Sequence, residues 1–166
     1  MQGTRTLGPS TAYVNRGRRV AFQNPSNEEI KAFLLGARTI AVLGLSTDPD
    51  RPSYSVAMYL QNNGYRIVPV RPDGGEVLSE PVYGQLADIP FSVDVVDVFR
   101  KSRYVAAHAD QAIAIKARCL WLQEGVIDEA AAQRAREAGL FVVMDRCMLK
   151  EHRRSGLSNS RPPPVR

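Results

Sequence analysis

The chain is poor in the residues that build disulfide or metal scaffolds: 166 residues contain two cysteines, Cys119 and Cys147, and two histidines, His108 and His152. Two cysteines make no disulfide framework, and no Cys/His spacing resembles a zinc-finger ligand set, so structural zinc is not expected. Long apolar runs are missing too. No stretch approaches the ~18 consecutive apolar residues of a membrane span, and Met1–Pro9 has no apolar core of a secretory signal. The expectation is a soluble cytoplasmic protein with no membrane span. What is present is ordinary globular composition, 44% apolar and 23% charged, which rules out a disordered, collagenous or coiled-coil chain and allows about one domain.

Acids are outnumbered 17 to 22, giving a net charge of +5. Such an excess raises nucleic acid as a partner. Its location argues otherwise. Residues 1–24 carry Arg5, Arg16, Arg18 and Arg19 with no acid, and residues 151–166 carry four arginines against Glu151, so the body between them is left at −2. Both ends mix Gly, Ser, Pro and Arg with scattered apolar residues and cannot bury enough surface to offset chain entropy. The expected division is a flexible basic tail over 1–24, a folded domain over 25–154 and a flexible Pro/Arg tail over 155–166. The first tail reads either as an extension of the translation start or as a tether to an anionic surface.

Between the tails, buried-type strands alternate with helical segments. Ser26 followed by Glu28 and Glu29 caps a helix over about 26–36. Continuous apolar runs at 39–44, 65–70, 93–99, 119–122 and 140–144 read as strands covered on both faces. Helical patterns occupy 53–63, 103–116 and 128–138, and the turn-rich stretch 71–92 holds one short helix near 84–88. This alternation predicts an α/β, Rossmann-like, five-stranded parallel sheet with helices on both faces. The expected strand order is 3-2-1-4-5, with the flavodoxin-like 2-1-3-4-5 as the alternative.

Ligands of such sheets lie beyond the carboxyl ends of the strands, so the strand-to-helix loops carry the candidate chemistry. After strand one, Gly44 admits close backbone approach, Ser46 offers a hydroxyl, and Arg51 sets a cation beside a helix start opened by Pro52, a credible phosphate site. After strand two, an NAD site would present an acid; Val70-Arg71-Pro72 presents an arginine, which suits a ribose phosphate such as that of NADP or coenzyme A, or is a solvated turn residue. After strand three come Phe99, Arg100 and Lys101. Phe99 could lie against adenine while a cation meets phosphate, or it could be core. After strand four, Gln123 can hydrogen-bond an amide, and Trp121 reads as core. Asp145 and Cys147 end strand five, where Cys147 reads as a partly buried structural thiol, with a mixed disulfide to a thiol ligand as the alternative.

Taken together, Gly44-Leu45-Ser46 with Asp50–Tyr54, Pro69-Val70-Arg71-Pro72, Val95–Arg100, Trp121–Gly125 and Val142–Cys147 resemble the small stand-alone CoA-binding protein family. That family is similar to the CoA-binding domain of the succinyl-CoA synthetase α subunit, and the resemblance covers about residues 26–152. It implies coenzyme A or an acyl-CoA along the strand ends. Ser46, Arg51 and Ser53 would lie by the pyrophosphate, Val70, Arg71, Phe99 and Arg100 near the adenosine 3′-phosphate, with the pantetheine arm running toward Gln123. Arg71 departs from the Asn usual in the family's Val-Asn-Pro turn, and the added cation favours a 3′-phosphate.

No nucleophile elbow, metal-binding His pair or Ser/His/Asp arrangement is present in the sequence, and neither histidine matches the phosphorylated histidine of the synthetase. The expectation is therefore a small-molecule binding module with no catalytic residues, no metal and no specific nucleic-acid partner. The alternative is an NADP-dependent oxidoreductase or other nucleotide-binding enzyme on the same fold. Oligomeric state is not legible in the sequence.

Overall fold

Ser26 opens helix α1 (Asn27–Gly36) with a reciprocal cap: its Oγ accepts from the Glu29 N–H at 3.2 Å, and its own N–H donates to Glu29 Oε2 at 2.7 Å. Two donors that the helix itself leaves unpaired are thereby satisfied. The structure is a computed structural model describing residues 21–161. After α1 come β1 (Thr39–Leu43), α2 (Pro52–Asn62), β2 (Arg66–Val70), a small antiparallel hairpin of β3 (Glu76–Val77) and β4 (Glu80–Pro81), β5 (Val95–Val98) and α3 (Val105–Ala114). Then follow β6 (Cys119–Leu122), α4 (Glu129–Glu137), β7 (Phe141–Val143) and α5 (Met148–Arg154). The expected short helix near 84–88 is a 3-10 turn at Leu86–Asp88. No helix among the described residues is long and apolar enough to cross a membrane.

The main sheet is five-stranded, parallel throughout and Rossmann-like, as expected, but its order is β2-β1-β5-β6-β7. That is 2-1-3-4-5 in strand sequence, so the expected 3-2-1-4-5 is corrected to the flavodoxin-like alternative. Pro69 supplies the physical reason. Val68 and Val70 turn their backbone polar groups toward β1, so Pro69, between them, turns outward and has no N–H to give a further strand. Its outer edge is instead closed by Tyr83, whose N–H donates to Pro69 O at 2.9 Å and whose carbonyl accepts from the Arg71 N–H at 2.9 Å. With that edge used, the third long strand returns beside β1.

Both faces of the sheet are covered, which is why the strands read as continuous apolar runs. Alternation along each strand splits the core in two. Ala41, Val68, Val96, Leu120 and Val142 face α3 and α4, whose contacts are largely alanines: Ala109, Ala112, Ala131, Ala132 and Ala135. Ile40, Val42, Ile67 and Val95 face the larger side chains of α1, α2 and α5, among them Leu34, Leu60 and Met148. Trp121 is fully buried on this second face and donates its Nε1–H to Arg146 O at 2.8 Å, as a core tryptophan must.

The described residues of the two expected tails, 21–24 and 155–161, make contacts with the folded unit. Phe22 packs on the core under the Arg136 guanidinium, and Asn24 exchanges two hydrogen bonds with the Met144 backbone at 2.8 and 2.9 Å. At the other end Leu157 is buried, the Asn159 N–H donates to Asn63 Oδ1 at 2.8 Å, and Arg161 donates to Ala37 O at 2.7 Å. The described parts of both expected tails therefore belong to the packed unit. Arg5, Arg16, Arg18, Arg19 and Arg166 lie outside the described residues.

Candidate functional site

The strand ends reach the site in register. The ladder runs one step past the strands, with Gly44 N–H to Val70 O, Phe99 N–H to Leu43 O and Gln123 N–H to Val98 O at 3.0–3.3 Å. Gly44 takes a left-handed φ of 80°, and a Cβ there would stand 2.9 Å from Arg100 Cδ and 3.2 Å from Phe99 O. Only glycine lets the loops after β1 and β5 close on each other. Beyond it, the Ser46 N–H donates to Ser53 Oγ at 3.0 Å, and Ser46 Oγ accepts from the Asp48 N–H at 3.0 Å. These bonds fold the loop onto the start of α2, where Pro52 occupies the first turn and Arg51 stands 72% exposed, its nearest carboxylate, Asp48, 3.9 Å away.

Two cavities meet at Gly44. The larger, about 550 Å³, runs from Ser46, Arg51 and Ser53 past Phe99 to Gln123 and Cys147. The smaller, about 220 Å³, lies between Val70-Arg71-Pro72, the turn at Gly84–Leu86, Arg100, and His108 with Gln111 of α3. The structure thus brings Gly44, Ser46, Arg51, Ser53, Phe99 and Gln123 to one cavity and Gly44, Val70, Arg71 and Arg100 to the other. Phe99 is separated from the other residues expected near an adenosine. Arg71 is more than a solvated turn residue: its guanidinium folds back to Asp73 at 3.1 Å and to Leu45 O at 3.5 Å. Arg100 lays its stem over Gly44, and its guanidinium carbon stands 5.3 Å from the Tyr104 ring centre.

Three participants lay outside the sequence expectation. Asp97, fully buried in β5, accepts from Gln123 Nε2 at 2.7 Å through one oxygen, while Oδ2 has no partner. Burial pushes its carboxyl up to about 7. Gln123 Oε1 accepts from the Met148 N–H at 3.4 Å, so both ends of that amide are held. The signal for Asp97 was in the sequence: one acid inside Val95-Val96-Asp97-Val98 is a buried charge wanting a reason. His108 and Gln111, three apart on one face of α3, share a 3.1 Å hydrogen bond, and His108 Nε2 is shielded from water with no partner. Helical spacing from the strand end marks them, but only once the crossover is placed.

Other chemistry-bearing groups are engaged elsewhere. Asp145, at φ 59°, accepts from the Gly125 N–H at 2.7 Å and pins the loop after β6. His152 is buried beside the Tyr59 hydroxyl at 2.9 Å and Tyr65, and Cys119 lies in the core, where burial raises its thiol well above the ordinary value. Cys147 is half-buried in the wall of the larger cavity.

Comparison with known proteins agrees on a family. A protein of Bacillus subtilis, the uncharacterized YneT, is 39% identical over 130 residues, covering 78% of this chain and 96% of that protein. A solved structure of a hypothetical protein from Pyrococcus horikoshii is 37% identical with a TM-score of 0.76, covering 78% of this chain and 92% of that one. The Thermus thermophilus protein cell-free ID.343 is 38% identical, also at 0.76, covering 79% and 99%. The model of the CoA binding domain family matches residues 38–153, which include both cavities, and the chain belongs to that family.

Proposed function

We propose that the chain holds coenzyme A or an acyl-CoA along the carboxyl ends of β2, β1, β5 and β6, and binds it without transforming it. The observation that carries this reading is the pair of cavities meeting at Gly44 with Arg51, Arg71 and Arg100 around them, cations suited to a ligand phosphorylated at both the pyrophosphate and the ribose. Ser46, Ser53 and Arg51 are assigned to the pyrophosphate, at the start of an 11-residue helix whose first turn favours anions. Val70, Arg71 and Arg100 take the 3′-phosphoadenosine. The pantetheine arm runs past Phe99, which shares the larger cavity with Gln123, and the buried Asp97 orients the Gln123 amide for it. Binding without turnover is supported by the engagement of Asp145, His152 and Cys119 in holding the fold.

Thermal-shift titration tests the reading. Ligand at 100 times its dissociation constant stabilises by ~2.7 kcal/mol. CoA should raise the melting temperature and NADPH should not; stabilisation by NADPH alone would reverse the reading. Arg51→Ala should weaken CoA more than pantetheine, which lacks the phosphates, and equal losses would remove Arg51 from the phosphate site.

A further inference from the structure

The larger cavity has two chemically different ends. At one, Ser46, Ser53 and the exposed Arg51 stand at the start of α2; at the other stand Gln123, Glu124, Val126 and Cys147. The second end offers an anion very little. Gln123 is 4% exposed with both ends of its amide held, Val126 is buried, and Cys147 is half-buried. The cation beside this end is Lys150 of α5, whose ammonium lies close enough to Cys147 to feel a charge there. That ammonium is already taken. Its Nζ donates to Glu124 Oε1 at 2.7 Å, and both side chains are more than half exposed. The hydrogen bond and the charge of Glu124 raise the Lys150 pKa, so the lysine stays charged and the pair stays closed.

A carboxylate entering this end would have to share one ammonium with Glu124, setting two anions side by side. It would also lose water against Val56 and Val126 with no cation of its own. A methyl-terminated chain meets neither cost and covers the same apolar surface. We propose that the Gln123–Cys147 end of the larger cavity receives the acyl group of a CoA thioester, and that the Glu124–Lys150 pair admits uncharged acyl groups while rejecting those that end in a carboxylate. The inference rests on the CoA reading and adds to it the class of acyl group. Arg51, Arg71 and Arg100 serve the phosphates and are indifferent to that group.

Isothermal titration of the full chain with CoA, butyryl-CoA and succinyl-CoA tests this, because the two acyl groups match in length and differ in a methyl against a carboxylate. Butyryl-CoA should bind about fivefold or more tighter than succinyl-CoA at low ionic strength, the factor by which two like charges ~4 Å apart in water repel. The ratio should shrink in about 1 M salt, where screening acts within ~3 Å. In Glu124→Gln the freed ammonium can pair with the acyl carboxylate, and the ratio should fall to one or invert; in Lys150→Met it should widen. Both positions are exposed, and circular dichroism checks that the variants fold. Equal or tighter binding of succinyl-CoA by the wild type overturns the proposal without any variant, as does a ratio that neither substitution moves. CoA binding without acyl discrimination removes this inference alone; no CoA binding removes the parent reading with it.

Discussion

Replacing Asp97 by Asn should stabilise the protein relative to wild type increasingly as pH rises. The folded-state carboxyl titrates near 7 against an ordinary 3.8, because burial penalises the charged form more than the Gln123 hydrogen bond favours it. Between those values the folded state keeps a proton that the unfolded chain has released. Stability linked to Asp97 is thus fully present below 3.8 and falls as pH rises, by ~1.4 kcal/mol per unit, levelling off above 7. From about pH 5.5 to about pH 8.5 roughly one and a half units of this window are crossed, a loss of about 2 kcal/mol. The side chain introduced by Asp97→Asn keeps an oxygen for Gln123 Nε2 and does not titrate. Its amide nitrogen replaces the unpartnered oxygen at a cost common to both pH values. His108 and His152 titrate alike in both proteins and cancel in the difference. Cys119, raised well above 9, stays a thiol throughout. Urea denaturation of both proteins at the two pH values measures the difference directly. A variant-minus-wild-type stability that stays constant with pH would refute the buried, protonated carboxyl.

Gly44→Ala should destabilise by roughly 1–2 kcal/mol, since the residue must hold a left-handed φ of 80°, and its Cβ must displace Arg100; calorimetric melting reads the first effect and CoA titration the second. His152 is buried with its pKa lowered by desolvation and by Arg161, so below the ordinary 6.5 the unfolded chain takes up a proton first. Stability linked to His152 should therefore be complete above 6.5 and decline as pH falls, and a chemical shift titration showing His152 protonating no later than a free imidazole would contradict this. Tyr59→Phe removes the hydroxyl shared by His152 and Ser158 and should cost ~1 kcal/mol in urea denaturation, loosening the segment after α5.

The five long strands were legible because each is buried on both faces and reads as an uninterrupted apolar run between turn residues. Their order was not read, although the decisive residue is visible: a proline within the second run is tolerated where that strand has a free outer edge, and the 3-2-1-4-5 order would put a neighbour there. The β3–β4 hairpin was invisible for a different reason. Its turn places Leu78 and Ser79 at φ 53° and 60°, a conformation ordinarily signalled by glycine or asparagine, and strands of two residues leave no periodicity. The loop residues that line the two cavities were legible because position after a strand alone nominates them. Asp97, His108 and Gln111 lie inside regular elements, where sequence pattern reports burial and not what the buried atom faces.

The corrected order also changes what the site fits. Parallel strands lie ~4.8 Å apart, so the loops bearing Arg71 and Gln123, on β2 and β6, are separated by three intervals, about 14 Å, with the Gly44 and Phe99-Arg100 loops between them. In the expected order β6 would have sat against β1, bringing Gln123 about 5 Å nearer to Arg71 and leaving Arg100 on the far side of β2. The observed spacing makes one trough in which cations precede an aromatic and then an amide. A compact mononucleotide would reach the Arg71 and Arg51 loops and leave Gln123 uncovered. A phosphorylated nucleoside carrying a long polar arm spans them all, and this length, more than any single arginine, favours an extended cofactor such as CoA over a compact mononucleotide.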